Sequence, residues 1–220
     1  GELKEFRRIT RKALNFVFLM AMPLMLYFIY FAKEGIFFLS GDNYVGAIIP
    51  MQVIMPTLLL IGITNILGIQ ILVPTGREKI VLYSEIVGAI VDVIINALLI
   101  PVYASTGAAI GTLIAEFAVF FVQKWTGFGF EVIEINGNDY DEILDAFRYI
   151  PYVKIIIALL FGSIISLGVK MLNVGCFFSL IISSILFFGS YGVVLLILKE
   201  ELIFEIFNLI KAKIMLIVKK

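Results

Sequence analysis

The chain has 220 residues, 61% hydrophobic and only 15% charged, with 17 Lys+Arg against 17 Asp+Glu and a mean hydropathy of +1.08. A soluble domain carries about a quarter charged residues, so this composition excludes a water-soluble globule, and zero net charge leaves no basic field to favour nucleic acid. The absence of His removes the commonest general base, and the single Cys176 excludes an internal disulfide and a cysteine metal site.

Several apolar runs of about twenty residues, the length a helix needs to cross the hydrocarbon, define an all-α polytopic membrane bundle with about six transmembrane helices. The chain opens on Gly1-Glu2-Leu3-Lys4, with no initiator Met and no signal peptide. It reads as starting partway through a larger protein; a trimmed piece is the alternative.

In chain order, Lys4, Arg7, Arg8, Arg11 and Lys12 alternate with Leu3, Phe6 and Ile9, the pattern of an amphipathic helix on the membrane surface. The first span is expected over Ala13–Phe31, with Pro23 kinking it. A loop from Lys33 to Gly46 follows, with Gly41-Asp42-Asn43 as its turn. Span two covers Pro50–Val73 and carries Pro56, Gly62, Thr64, Asn65, Gly68 and Gln70, an unusually polar and breakable set. Gly76-Arg77-Glu78-Lys79 makes a tight turn whose charges set orientation, with guidance of a phosphate to a cavity mouth by Arg77 and Lys79 as a secondary role.

Spans three and four are expected at Val81–Ile100 and Gly107–Gln123, parted by a break from Pro101 to Gly107. An acidic segment over 126–150 comes next, where Asp139 or Asp141 caps a short helix with Ile143, Leu144 and Phe147 on one side. Spans five and six are Tyr152–Met171 and Cys176–Leu198, and their serines (Ser163, Ser166, Ser179, Ser183, Ser184) read as packing and backbone-bonding groups. Cys176 reads as an inert thiol. The tail over 199–220 places Ile203, Ile206, Ile210, Ile214 and Ile217 on one face, an interfacial helix.

With a cytoplasmic N-terminus, six spans return the C-terminus to the cytoplasm. Of the 17 basic residues only Lys33 and Lys170 then fall on the far side.

The residues that need a reason are acidic and deep in spans, where each costs about 2.5–3.5 kcal/mol. On span three, Glu85, Gly88, Asp92 and Asn96 share one stripe by their spacing of three, four and four. Such a stripe faces protein or a water-filled cavity. Asp92 sits near mid-helix, as a cavity carboxylate for a proton or cation or as a hydrogen-bond partner of a buried group such as Asn65. Glu85, about one turn from the cytoplasmic end, reaches the interface or the cavity. On span four, Gly107 and Gly111 form a small-residue face for close packing, which Glu116 shares, pointing towards Asp92. Two neighbouring carboxylates can hold a proton. No nucleophile–His–acid set, metal cluster or phosphate loop is present, so the chain does not read as an enzyme and calls for no cofactor.

Two runs carry a resemblance: Asn65-Ile66-Leu67-Gly68 through Pro74-Thr75-Gly76-Arg77-Glu78-Lys79, and Gly88 through Asn96 with Leu99-Ile100-Pro101, Gly107-Ala108-Ala109-Ile110-Gly111-Thr112 and Ala115-Glu116. Together they resemble the second half of polysaccharide flippases of the multidrug/oligosaccharidyl-lipid/polysaccharide export superfamily. The match is good over about 1–125 and reduces to hydrophobic pattern beyond. It implies two six-helix bundles around a central cavity. Residues 1–125 would supply the last four helices of the second bundle, 151–198 two extra helices and 199–220 the interfacial helix, with the N-terminal bundle outside these residues. The implied function is moving polyprenyl-pyrophosphate-linked oligosaccharide across the cytoplasmic membrane by alternating access, often coupled to H+ or Na+. Asp92, Asn96, Glu116, Glu85 and Asn65 become candidate cavity residues. A pyrophosphate cargo wants cations, yet no Lys or Arg lies deep in a span, so phosphate-binding arginines would belong to the absent half. The competing readings are a multidrug exporter for cationic cargo, a non-transport membrane assembly protein, and an integral membrane polymerase or acyltransferase.

Overall fold

A computed structural model describes residues 2–129, 145–172 and 174–218, which are helical with no strand among them. Six helical segments are long and apolar enough to cross a membrane: Arg8–Tyr30, Asp42–Leu72, Glu78–Tyr103, Ser105–Lys124, Tyr152–Leu172 and Cys176–Ile197. The chain is a multi-pass all-α membrane protein. It divides into two compact units, Gly1–Ile150 and Pro151–Lys220.

The first unit begins with α1 (Glu2–Tyr30), which runs unbroken from the basic segment into the first span. The expected separate surface helix is therefore the first turns of α1. Glu5 and Arg8, three apart, pair at 2.6 Å, and that bond holds the Glu5 carboxyl below its usual range. Pro23 lies inside α1 without ending it. The expected loop after span one is instead α2 (Ala32–Ser40) followed by a 3-10 segment, Asp42–Ala47. Only Gly41, at φ 85°, makes the turn there.

Span two changes its hydrogen-bonding pattern twice without leaving helical backbone. Helix α3 (Ile48–Ile54) stops at Pro56, which lacks the N–H needed to continue the ladder, and α4 (Thr57–Asn65) restarts beyond it. A π-helical stretch, Ile66–Leu72, follows, in which the Val73 N–H donates to the Gly68 carbonyl five residues back at 2.9 Å. Gly76 at φ 75° lets the Arg77 N–H donate to the Leu72 carbonyl at 2.8 Å, closing the helix end.

Helices α5 (Glu78–Tyr103) and α6 (Ser105–Gly129) form a close hairpin. Pro101 is inside α5, and the expected break from Pro101 to Gly107 narrows to Ala104, at φ 47°. Three glycines permit the approach. A Cβ at Gly107 would meet the Leu99 carbonyl and lie 2.9 Å from the Ile100 nitrogen, one at Gly111 would meet the Asn96 side chain, and one at Gly88 would meet Val119. The outward positions Leu82, Tyr83, Ile90, Val93 and Leu98 stay exposed, as a lipid-facing surface does.

Leu14, Phe18, Leu19 and Tyr27 of α1 and Phe31 at the α1–α2 junction are buried, as are Leu60, Ile63, Ile66, Leu67, Ile71 and Leu72 of span two, and they make the core of this unit. Gly62 packs on Val17, with a virtual Cβ only 2.6 Å from a Val17 methyl, and Gln52 Nε2 donates to the Ile29 carbonyl at 2.9 Å. Much of the expected acidic segment, including Asp139, Asp141, Ile143 and Leu144, lies outside the described residues. Its end forms a 3-10 turn, Asp145–Tyr149, that meets α1. Phe147 packs edge-on to Phe18, and the Arg11 guanidinium lies 3.9 Å from the Tyr149 ring centroid.

In the second unit, α7 (Tyr152–Leu167) continues into a 3-10 turn, Gly168–Leu172, and packs on α8 (Cys176–Ile197). Ile155, Ala158 and Leu159 are buried, as are Phe187, Tyr191 and Leu195. Gly162 brings its helix against Phe187. Ser163, Ser183 and Ser184 donate to carbonyls of their own helices, at 2.7, 3.2 and 2.9 Å, the backbone-bonding role read for them. The tail is helical, α9 (Glu201–Val218), and Glu200 Oε2 caps it by accepting from the Ile203 N–H at 2.9 Å.

Candidate functional site

Two turns into the hairpin from the Gly76 end, α4, the π-helical stretch, α5 and α6 enclose a cleft of about 270 Å³. Asn65 reaches it from the end of α4, Glu85 from α5, and Glu116 and Gln123 from α6, while Gly68 and Val81 form part of its wall. Three residues singled out in the sequence, Asn65, Glu85 and Glu116, thus come together in one place. Asp92 and Asn96 line a different stretch, farther along the α5–α6 seam.

The local fold explains this division. Ser84 and Gly88 are the fully buried positions of α5 against α6, and Asp92 and Asn96 continue that seam by steps of four. Glu85, one residue and about 100° round from Ser84, is exposed and turns to the cleft. Asn96 is seated over Gly111, where its Oδ1 occupies the space a methyl would take. Asp92 Oδ1 is buried and has no hydrogen-bond partner. Asn65 does not serve as the partner expected for Asp92, because its Nδ2 donates to the Ile61 carbonyl of its own helix at 2.8 Å. Glu116 lies within electrostatic reach of both Glu85 and Asp92, so it links the cleft to the seam. Arg77 and Lys79 sit at the α4–α5 turn and the start of α5, outside the cleft lining. Among the described residues no group of three or more His, Cys, Asp or Glu could hold a metal ion.

Two participants escaped the sequence reading. Gln123 is 2% exposed and its Nε2 donates to Ser84 Oγ at 3.2 Å across the hairpin. The signal was its spacing of seven from Glu116, two turns along the same face. The Ser84–Gln123 bond is also a test of the hairpin. Interhelical bonds in membranes are worth about 0.6 kcal/mol on average and about 1.7 at most. Ser84→Ala is expected to lower the unfolding free energy by an amount in that range, measured by titration from dodecylmaltoside into SDS. A variant as stable as the parent would show that the bond adds nothing.

The arrangement offers a polar, acidic pocket inside otherwise apolar spans, beside a helix whose hydrogen-bond ladder is irregular. Compared with protein families, characterised proteins and solved structures, the chain matches none.

Proposed function

We propose that this chain is part of a transporter that moves polyprenyl-pyrophosphate-linked oligosaccharide from the cytoplasmic to the outer face of the cytoplasmic membrane by alternating access. Both ends of the segment would face the cytoplasm. The observation that carries the transport reading is the acidic cleft beside a span whose hydrogen-bond ladder is irregular. Irregular backbone bonding at membrane depth is tolerated where it is buried in protein or lines a cavity, and π-helical stretches are frequent at functional sites. The choice of cargo rests on the resemblance of the Asn65–Lys79 and Gly88–Glu116 runs to polysaccharide flippases. Against an assembly or anchor role stands the placement of the polar groups. That role asks each deep carboxylate to be matched by a neighbour and to line no cavity, whereas Glu116 lines the cleft and Asp92 Oδ1 has no hydrogen-bond partner.

The test is translocation of a fluorescent polyprenyl-pyrophosphate oligosaccharide in proteoliposomes made with the protein encoded by the whole reading frame. Time-dependent loss of probe from the loading face is expected, and rates equal to empty liposomes would sink the reading. One observation favours a second cargo: the cleft lining contains two carboxylates and no Lys or Arg. That balance suits a cationic drug better than a pyrophosphate, so efflux of ethidium without movement of the lipid-linked sugar would favour a multidrug exporter.

A further inference from the structure

Helices α8 and α9 meet at a corner with no loop in it. Lys199 takes a positive φ of 49° and its N–H donates to the Leu196 carbonyl at 3.1 Å. The Glu200 N–H donates to the Leu195 carbonyl at 3.0 Å, which closes α8 as a Schellman motif. The same residue opens the next helix, because the Glu200 carboxylate, in a side chain 2% exposed, accepts the Ile203 N–H at 2.9 Å. From α7, Lys154 Nζ donates to the Lys199 carbonyl at 3.1 Å and ties the corner to its neighbour. Helix α9 therefore leaves the end of a span at a built turn instead of running on as more of α8.

Among the described residues, the apolar face that α9 then presents is largely uncovered. Ile203, Ile206, Phe207 and Ile210 share it by their helical spacing, and the last three are 42, 46 and 53% exposed. Charge along the helix is unequal. Glu201 and Glu205 lie in its first turns, whereas residues 206–220 hold Lys211, Lys213, Lys219 and Lys220 and no acid. At about 100° per residue, Lys211 and Lys213 fall about 80° to either side of the direction of Ile203, so these lysine positions flank the apolar face. Flanking lysines suit a bilayer surface, where apolar stems lie along the acyl chains and ammonium groups reach the headgroups. We propose that α9 docks on the leaflet in which α8 ends and selects anionic phospholipid there, through Lys211 and Lys213. Continuity favours lipid over a protein partner, since α9 starts directly after the corner, at the edge of the bilayer that α8 crosses. A neutral surface would satisfy the isoleucines and leave the lysines without a counter-charge, whereas each lysine near an anionic surface strengthens binding roughly fivefold. The proposal needs only the multi-pass fold and stands apart from the choice of cargo.

The experiment attaches the environment-sensitive fluorophore NBD to the 220-residue chain in nanodiscs, in a Cys176→Ser background. One label sits at Ile210→Cys on the apolar face and the other at Asn208→Cys, exposed and turned about 160° from Ile210. The discs are phosphatidylcholine alone or a mixture with phosphatidylglycerol. In the mixture the label at Ile210 is expected to emit at the shorter wavelengths of an apolar medium, and the label at Asn208 at those of water. In phosphatidylcholine alone the first label should move back towards water. Lys211→Gln with Lys213→Gln should lower the docked-to-free ratio in mixed discs roughly thirtyfold, with helix content unchanged by circular dichroism. Lys170→Gln, exposed at the other end of α7, should dock as the parent does. A label at Ile210 equally shielded in both discs makes the face a neutral lipid or protein contact, and one equally exposed in both leaves α9 off the membrane. Either result overturns the proposal, as does a double variant that docks like the parent or a Lys170→Gln that does not.

Discussion

Replacing Gly107 by alanine is expected to destabilise the protein by about 3 kcal/mol or more, and replacing Gly192 by alanine to leave it unchanged or stabilise it by up to about 1 kcal/mol. The same chemical change has opposite signs because two effects compete. Alanine is the better helix former, by about 1 kcal/mol in a helix interior. At Gly192 nothing lies within 4 Å of the new methyl, so propensity decides. At Gly107 the methyl would run into the Leu99 carbonyl and the Ile100 nitrogen. Backbone at the mouth of a one-residue turn cannot step aside as a side chain can, so overpacking, about 1–3 kcal/mol where side chains can yield, wins here at the upper end or beyond. Gly111→Ala should fall between the two, since the atoms it meets belong to the Asn96 side chain, which has other rotamers to adopt. Unfolding by SDS titration of the three variants gives the order directly. Equal midpoints for Gly107→Ala and Gly192→Ala would show that the α5–α6 hairpin does not depend on this close approach.

That hairpin was largely legible in the sequence, because the small residues Gly107 and Gly111 and the polar stripe through Gly88, Asp92 and Asn96 have helical spacing on apolar helices. The six spans were legible for the same reason: hydropathy depends on composition within a window, not on partners. The turn between α5 and α6 was not. A positive φ is usually met by glycine, and here Ala104 takes it, at φ 47°, so the residue types pointed to the wider stretch from Pro101 to Gly107. Helix α2 was hidden because Gly41-Asp42-Asn43 reads as a turn, and one turn residue sufficed where a whole loop was expected. The π-helical stretch, Ile66–Leu72, has no sequence signature beyond Gly68.

The cleft was half legible. Glu85, Glu116 and Asn65 announced themselves as polar residues where lipid tolerates few. Their grouping did not, because it depends on two things periodicity does not carry: the offset of Glu85 from the Ser84–Gly88 seam, and the approach of the π-helical stretch to α6, where Gly68 faces Gln123 with a virtual Cβ 3.4 Å from its Nε2. Gln123 was passed over since a glutamine at the end of a span usually meets water, and only the fold buries it.

Asp92→Asn is expected to cut transport on the order of tenfold or more while leaving insertion intact and stability equal or higher. The substitution keeps the shape and hydrogen-bonding reach of the side chain and removes only its ability to carry charge. If Asp92 served packing alone, losing a charge that costs about 2.5–3.5 kcal/mol at a helix centre would help the fold and leave function untouched. If it serves transport, the two readouts must part, because what transport uses is the charge that stability would rather lose. The structure makes the second outcome the expected one. Asp92 Oδ1 is buried with no hydrogen-bond partner, so the carboxylate is not held as a structural acceptor there. It also lies within electrostatic reach of Glu116, whose other acidic neighbour is Glu85 in the cleft. Charge at Asp92 is thereby felt at the cleft two turns away, and a change of occupancy at either place biases the other. Translocation rates in proteoliposomes, paired with SDS unfolding of the same preparations, decide the matter. Full transport by Asp92→Asn would assign Asp92 to the packing of α5 on α6 and leave the cleft carboxylates to act without it.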